Sequence, residues 1–172
     1  MSATSNYVVA GRLIELVSGL DYGTYLRRHV FEPLGMATAT TDRATAHAEG
    51  LSQAHRLWFG IADAREPLDR PDLVSAGFIA ASANDMARYL IAQLGGTPVI
   101  RGIQPPISAP GLAAMHDGVV PTGLGDQRYG LGWVDATMDG VRVVSHTGST
   151  TDMAAVAALV PGSGVGVAVL LN

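Results

Sequence analysis

The chain has neither cysteine nor lysine among its 172 residues. Without cysteine there are no disulfides, no thiolate metal ligands and no cysteine nucleophile, and the redox compartment stays open. Without lysine there is no ammonium base anywhere, and all 11 basic residues are arginines. Charged residues make up only 15% and aromatics 6%, so many segments must be buried on more than one side. No apolar run reaches about 18 residues, which excludes a membrane-spanning helix in this chain. The N-terminus lacks the charged and apolar regions of a secretion signal, and the abrupt start at Met1 reads as the edge of a fragment.

The five histidines, His29, His47, His55, His116 and His146, form no HxH or HxxxH pair. No metal site follows from local spacing, and no cofactor motif is present. The net charge of -4 is spread along the chain, with 15 acidic residues and no block of like charge. That distribution carries no nucleic-acid footprint.

What is present is hydrophobic and patterned. At 48% apolar, the 172 residues suffice for one domain or a piece of one. From about Asn6 to Ser18, Val9, Leu13, Leu16 and Leu20 recur at helical spacing, and Gly19 ends the run. Asn6 is a candidate cap for this helix. Asp21 caps a second helix through YGTYLRRHVF, with Tyr22, Leu26 and Val30 on one face and Pro33 closing it. Residues 37 to 75 read as a long excursion with two short strands.

A third helix follows Ser82 or Asn84, carries Met86, Leu90 and Leu94 as a stripe, and stops at Gly95 and Gly96. Asp85 belongs to its first turn, beside the helix dipole. A loop rich in proline and glycine leads to Gly111 and a short helix near Leu112 to His116, with His116 and Asp117 read as solvated. The last third holds four strand-like runs, RYGLGWVDA, VRVVSH, MAAVAALV and VGVAVLL, joined by turn signals that include Asp139-Gly140. Short connections make an antiparallel meander. Small apolar residues at odd and even positions in the last two runs predict that both sheet faces are covered.

The candidate chemistry gathers at SHTGST. Alone, His146 reads as a surface histidine ending a strand. In company it reads differently: NYVVAGRLIELVSGLDYGTYLRRHVFEPLGM, SAGFIAASANDMARYL, YGLGW and SHTGSTTDMAAVAALVPGSGVGVAVLLN together resemble the serine β-lactamase and penicillin-binding-protein-like hydrolases. The resemblance is to the branch of class C β-lactamases, D-alanyl-D-alanine carboxypeptidases and esterases. It implies an α+β fold, an antiparallel sheet flanked by helices and incomplete at both ends. Residues 1–172 would be the central and C-terminal part of one such domain.

The resemblance also implies roles. Of the family's three motifs, the Lys/His-Thr/Ser-Gly motif is intact, at His146, Thr147 and Gly148. There the first residue sets a positive or hydrogen-bonding group beside the nucleophile and the substrate carboxylate. The backbone amide of Ser149 falls in the oxyanion hole, and Gly148 keeps the strand free of a Cβ. His146 in place of lysine is closer to carboxypeptidase and esterase members. The Tyr-x-Asn motif falls on Ser2 and Thr4, and serine cannot replace a tyrosine proton shuttle at its ordinary pKa. The Ser-x-x-Lys motif cannot be drawn from a lysine-free chain. Tyr129 and Trp133 in YGLGW are candidate substrate-binding residues, with strand-face packing as the plainer reading. The implied partner is a small-molecule or peptidoglycan-like acyl substrate. The alternatives are a non-catalytic module that binds such a ligand, and an unrelated α+β structural domain.

Overall fold

The computed structural model describes residues 3–96 and 106–172. Its centre is a six-stranded antiparallel sheet of order β3-β4-β5-β6-β7-β8. The strands are β3 (Val120–Pro121), β4 (Arg128–Tyr129), β5 (Val134–Met138), β6 (Val141–Ser149), β7 (Ala154–Val160) and β8 (Val165–Leu171). Each pairs with its sequence neighbour, so the sheet is a meander, as the short connections dictate. Asp139-Gly140 supplies the tightest turn, with Asp139 at φ 49° and Gly140 at 78°. Those angles suit a two-residue hairpin. A separate hairpin pairs β1 (Ala54–Trp58) with β2 (Ile61–Arg65) inside the excursion.

RYGLGWVDA, read as one strand, is two. β4 and β5 pair antiparallel, with Tyr129 opposite Val134, and Gly130 to Trp133 make the turn between them. Gly132 at φ +88° takes the left-handed conformation the turn demands. Tyr129 and Trp133 are therefore brought together by a hairpin, and Trp133 points into the core.

Among the described residues seven α-helical segments accompany the strands: α1 (Ala3–Ser18), α2 (Tyr22–Leu26), α3 (Glu32–Leu34), α4 (Arg43–Ala48), α5 (Val74–Gly77), α6 (Ala83–Gln93) and α7 (Ala109–His116). Helix α1 already runs through Asn6, which sits exposed inside it and caps nothing. The stripe expected to be its buried face, Val9, Leu13 and Leu16, is exposed. The face that packs carries Gly11, where a Cβ would come within 2.5 Å of the Ser75 side chain. Close approach to α5 at a glycine, not apolar periodicity, sets which side of α1 is covered. Asp21 caps α2 by accepting from the Thr24 amide. Pro33 does not end the run: a π-helical turn over Arg27–Phe31 absorbs it, the Glu32 amide donating to the Arg27 carbonyl, and the helix ends at Gly35.

Ser82 caps α6 in a capping box with Asp85. The core lies between α6 and one face of the sheet, where Leu90, Trp133, Val144 and Leu159 are buried and Tyr89, Leu94 and Met115 pack around them. Gly166 lets β8 approach: a Cβ there would lie 3.2 Å from both Leu90 and Leu159. A second cluster of Phe31, Leu34 and Met36 meets the first through Tyr89. The opposite sheet face is not covered as expected: Val165, Val167, Val169 and Leu171 are 50%, 53%, 43% and 60% exposed. The proline- and glycine-rich loop after Gly96 lies largely outside the described residues.

Candidate active site

Strand β6 is longer than its neighbour, and that mismatch shapes the site. Pairing with β5 ends at Ser145 opposite Val134, while pairing with β7 continues to Ser149 opposite Ala154. His146, Thr147, Gly148 and Ser149 therefore lie on a stretch of strand with a neighbour on one side only. The Thr150 amide donates to the Met153 carbonyl at 2.9 Å, toward β7. Backbone groups alternate in direction along a strand, so the amides of Thr147 and Ser149 point to the unpaired side. Ser149 thus offers a donor on an open edge.

Side chains alternate too. His146 lies on the same face as buried Val144, just past the end of the core, and Thr147 and Ser149 project to the other face. All four residues are exposed. A Cβ built on Gly148 would meet nothing within 4 Å, so no packing within this chain requires glycine there.

The hairpin turn carries Tyr129 back toward β6. Its hydroxyl is 3.2 Å from His146 Nε2, with the two rings 6.2 Å apart and tilted by 64°. On its far side the Tyr129 hydroxyl is 3.4 Å from that of Tyr7, on α1. Partial burial pushes the Tyr129 phenol up to about 12. Although His146 lies at the surface, partial desolvation of its ring lowers its pKa from its ordinary 6.5, so the ring is neutral near pH 7. Tyr7 is a third member of the group that the sequence motifs do not mark. Its distance from β4 in the chain left no local pattern to find it.

Trp133 takes no part in this group. It is 3% exposed, stacks with Tyr89 at 6.4 Å and meets the edge of His116 at 5.5 Å. The structure places it in the core and not beside His146. His116 is buried as well, its Nε2 2.8 Å from Gln93 Oε1, which corrects the expectation that it is solvated. Asp117 instead lies at the surface with Arg142, which also pairs with Asp135. Asp85 is a buried structural carboxylate held by Ser82 and Thr38.

Among the described residues no group of three histidines or carboxylates could hold a metal, and no helix is long and apolar enough to cross a membrane. Two clefts, of about 470 and 490 Å³, lie between α6 and β8 and around Asp21 and Asp42. Neither is lined by His146. Ser2 falls outside the described residues, and Thr4 is exposed in the first turn of α1.

The match that decides the family spans the whole sequence: the model described as Beta-lactamase covers residues 1–172. The chain belongs to the β-lactamase family. Among curated proteins it is similar to an unguisins hydrolase of Aspergillus campestris, 27% identical over 96% of this chain and 32% of that protein. Among solved structures, the octameric penicillin-binding protein homologue from Pyrococcus abyssi superposes with a TM-score of 0.84 at 25% identity. It is matched over 98% of this chain and 37% of its own. A class C β-lactamase superposes with a TM-score of 0.80 at 17% identity, over 98% of this chain and 51% of its own. The chain thus spans one third to one half of these relatives' lengths. The fold is that of β-lactamases and penicillin-binding proteins.

Proposed function

We propose that residues 1–172 are the central and C-terminal part of a single serine-hydrolase domain, and that the whole protein transfers acyl groups to water. A serine attacks an ester, amide or lactam carbonyl. The acyl–serine bond forms as the leaving group departs, and water then releases the acid and restores the serine. The nucleophile belongs to a Ser-x-x-Lys segment, which a lysine-free chain does not contain.

The observation that carries this reading is the half-open strand. In it the Ser149 amide, on the unpaired edge of β6, stabilises the oxyanion. His146 provides a hydrogen-bonding group beside the nucleophile, Thr147 and Gly148 complete the wall, and Tyr129 lines the substrate side. The lack of any neighbour at Gly148 leaves room for an acyl group. A histidine in the place of lysine favours carboxypeptidase- or esterase-type substrates, and the resemblance to an unguisins hydrolase supports hydrolysis as the reaction.

The test is the whole protein translated from the reading frame that contains these residues, treated with a fluorophosphonate or a penicillin and weighed intact. Stoichiometric labelling of one serine in Ser-x-x-Lys supports the reading, and the 172-residue chain alone stays unlabelled. A second reading, a non-catalytic module that binds a peptidoglycan-like ligand, draws on serine and threonine at positions 2 and 4. It is favoured if the whole protein resists labelling yet retains muropeptides.

A further inference from the structure

Tyr7, Tyr129 and His146 come from three elements far apart in sequence, α1, β4 and β6, yet their polar atoms form one line. The distances are 3.4 Å from Tyr7 to Tyr129 and 3.2 Å from Tyr129 to His146 Nε2. The turn that carries Tyr129 back to β6 has Gly132 at φ +88°, a left-handed angle that glycine adopts without strain. A line of two hydroxyls and an imidazole can run in either of two directions. Chemistry chooses between them. A phenol is a more acidic donor than a neutral imidazole N–H, and an imidazole lone pair is a stronger acceptor than a phenol oxygen. The favoured sequence is Tyr7 O–H to the Tyr129 oxygen, then Tyr129 O–H to His146 Nε2.

We infer that Tyr129, itself held by Tyr7, is a positioning residue that fixes His146 as the Nδ1–H tautomer, so that the strand presents a neutral donor where relatives with lysine present a cation. Desolvation favours the protonated phenol at Tyr129 and the neutral ring at His146, the two forms that a Tyr129 O–H to Nε2 bond requires. The arrangement rests on the catalytic reading only for its use. In that use, recognition at His146 is by a hydrogen bond, and substrates with a neutral acceptor are treated as well as those with a carboxylate.

The tautomer is read without any assay of activity. The uniformly 15N-labelled 172-residue chain is observed by long-range 1H–15N correlation at a pH above the histidine titrations, with His146→Asn assigning the signals. The expected result is a bare Nε2 and a protonated Nδ1 at His146. Tyr129→Phe, which keeps the ring, should convert the residue to the Nε2–H form and raise its titration midpoint, because the bond to the neutral lone pair is gone. Tyr7→Phe should move both in the same direction by less, and it serves if Tyr129→Phe fails to give a dispersed amide spectrum. Nε2–H in the unsubstituted chain, or an unchanged tautomer in a folded Tyr129→Phe or Tyr7→Phe variant, overturns the inference. Failure of the catalytic reading appears separately, as a whole protein that cannot be acylated while the tautomer result stands.

Discussion

Gln93 Oε1 lies 2.8 Å from His116 Nε2, and this contact ties α6 to α7 beside the Trp133 ring. Both residues are buried, so each supplies the other's hydrogen bond. Gln93→Leu leaves the imidazole without that partner, and should cost about 1–3 kcal/mol in urea unfolding near neutral pH. No loss would mean that water replaces the glutamine.

The same histidine gives stability a pH dependence with a definite sign. Burial, then the charge of Arg142, lowers its pKa from 6.5, against the opposing charges of Asp117 and Asp135. The unfolded chain therefore binds a proton more readily than the folded one, and stability is full above about pH 6.5 and declines as pH falls below it. His146 shifts in the same direction and adds to the slope. Unfolding midpoints measured from about pH 7 down to about pH 5 should fall, and should fall less in His146→Asn. A flat profile would show that neither ring resists protonation.

Asp85 joins two parts of the chain that the sequence treats separately. Its carboxylate closes the Ser82 capping box and accepts from the Thr38 hydroxyl at 2.5 Å. Burial raises its pKa, but hydrogen bonds from Thr38 and Ser82 outweigh burial, and the net shift is downward from 3.8. Asp85→Ala should cost about 2 kcal/mol, combining the lost cap with an unsatisfied hydroxyl. In a double-mutant cycle with Thr38→Val the two losses should add to less than their sum. Strict additivity would remove the contact from the fold's support.

Much of this architecture was legible because it is written locally. Asp139-Gly140, the Ser82 cap and the short strand-like runs that became β6 to β8 are signals spanning a few residues, and each became the expected element. What failed depended on partners distant in sequence. The apolar side of α1 was misjudged because Gly11, and not a large residue, decides which face meets α5. RYGLGWVDA hid a hairpin because its turn is built from Gly130 and Gly132 within an otherwise strand-like run. His116 looked solvated next to Asp117, since nothing in the sequence indicates Gln93 across the helix pair. At the site, SHTGST was visible as a motif, whereas Tyr7 reaches it only through the folded turn.

The exposed sheet face gives a third kind of test. Val165, Val167, Val169 and Leu171 all project from one face of β8, beside Val156 on β7. An apolar patch of this kind binds hydrophobic dyes and promotes association. The 172-residue chain should enhance the fluorescence of an anilinonaphthalene sulfonate, and Val167→Thr with Val169→Thr should reduce it without lowering the melting temperature. A loss of stability comparable to a core substitution, about 2 kcal/mol or more, would mean that these valines are packed in solution.

Gly148 separates local packing from proposed chemistry. It has no left-handed backbone angle among the glycines that do, and a Cβ there meets nothing within 4 Å. Gly148→Ala should therefore leave the stability of the 172-residue chain unchanged or slightly raised, since glycine is a poor strand residue. In the whole protein the added methyl would stand on the open edge beside the Ser149 amide, where the acyl group is proposed to lie. Labelling by a fluorophosphonate should then slow by about tenfold or more, the scale of a misplaced acyl group. A variant that labels at the original rate would remove Gly148 from the acyl wall. One that is unstable on its own would give the glycine a packing role that the strand's surroundings do not indicate.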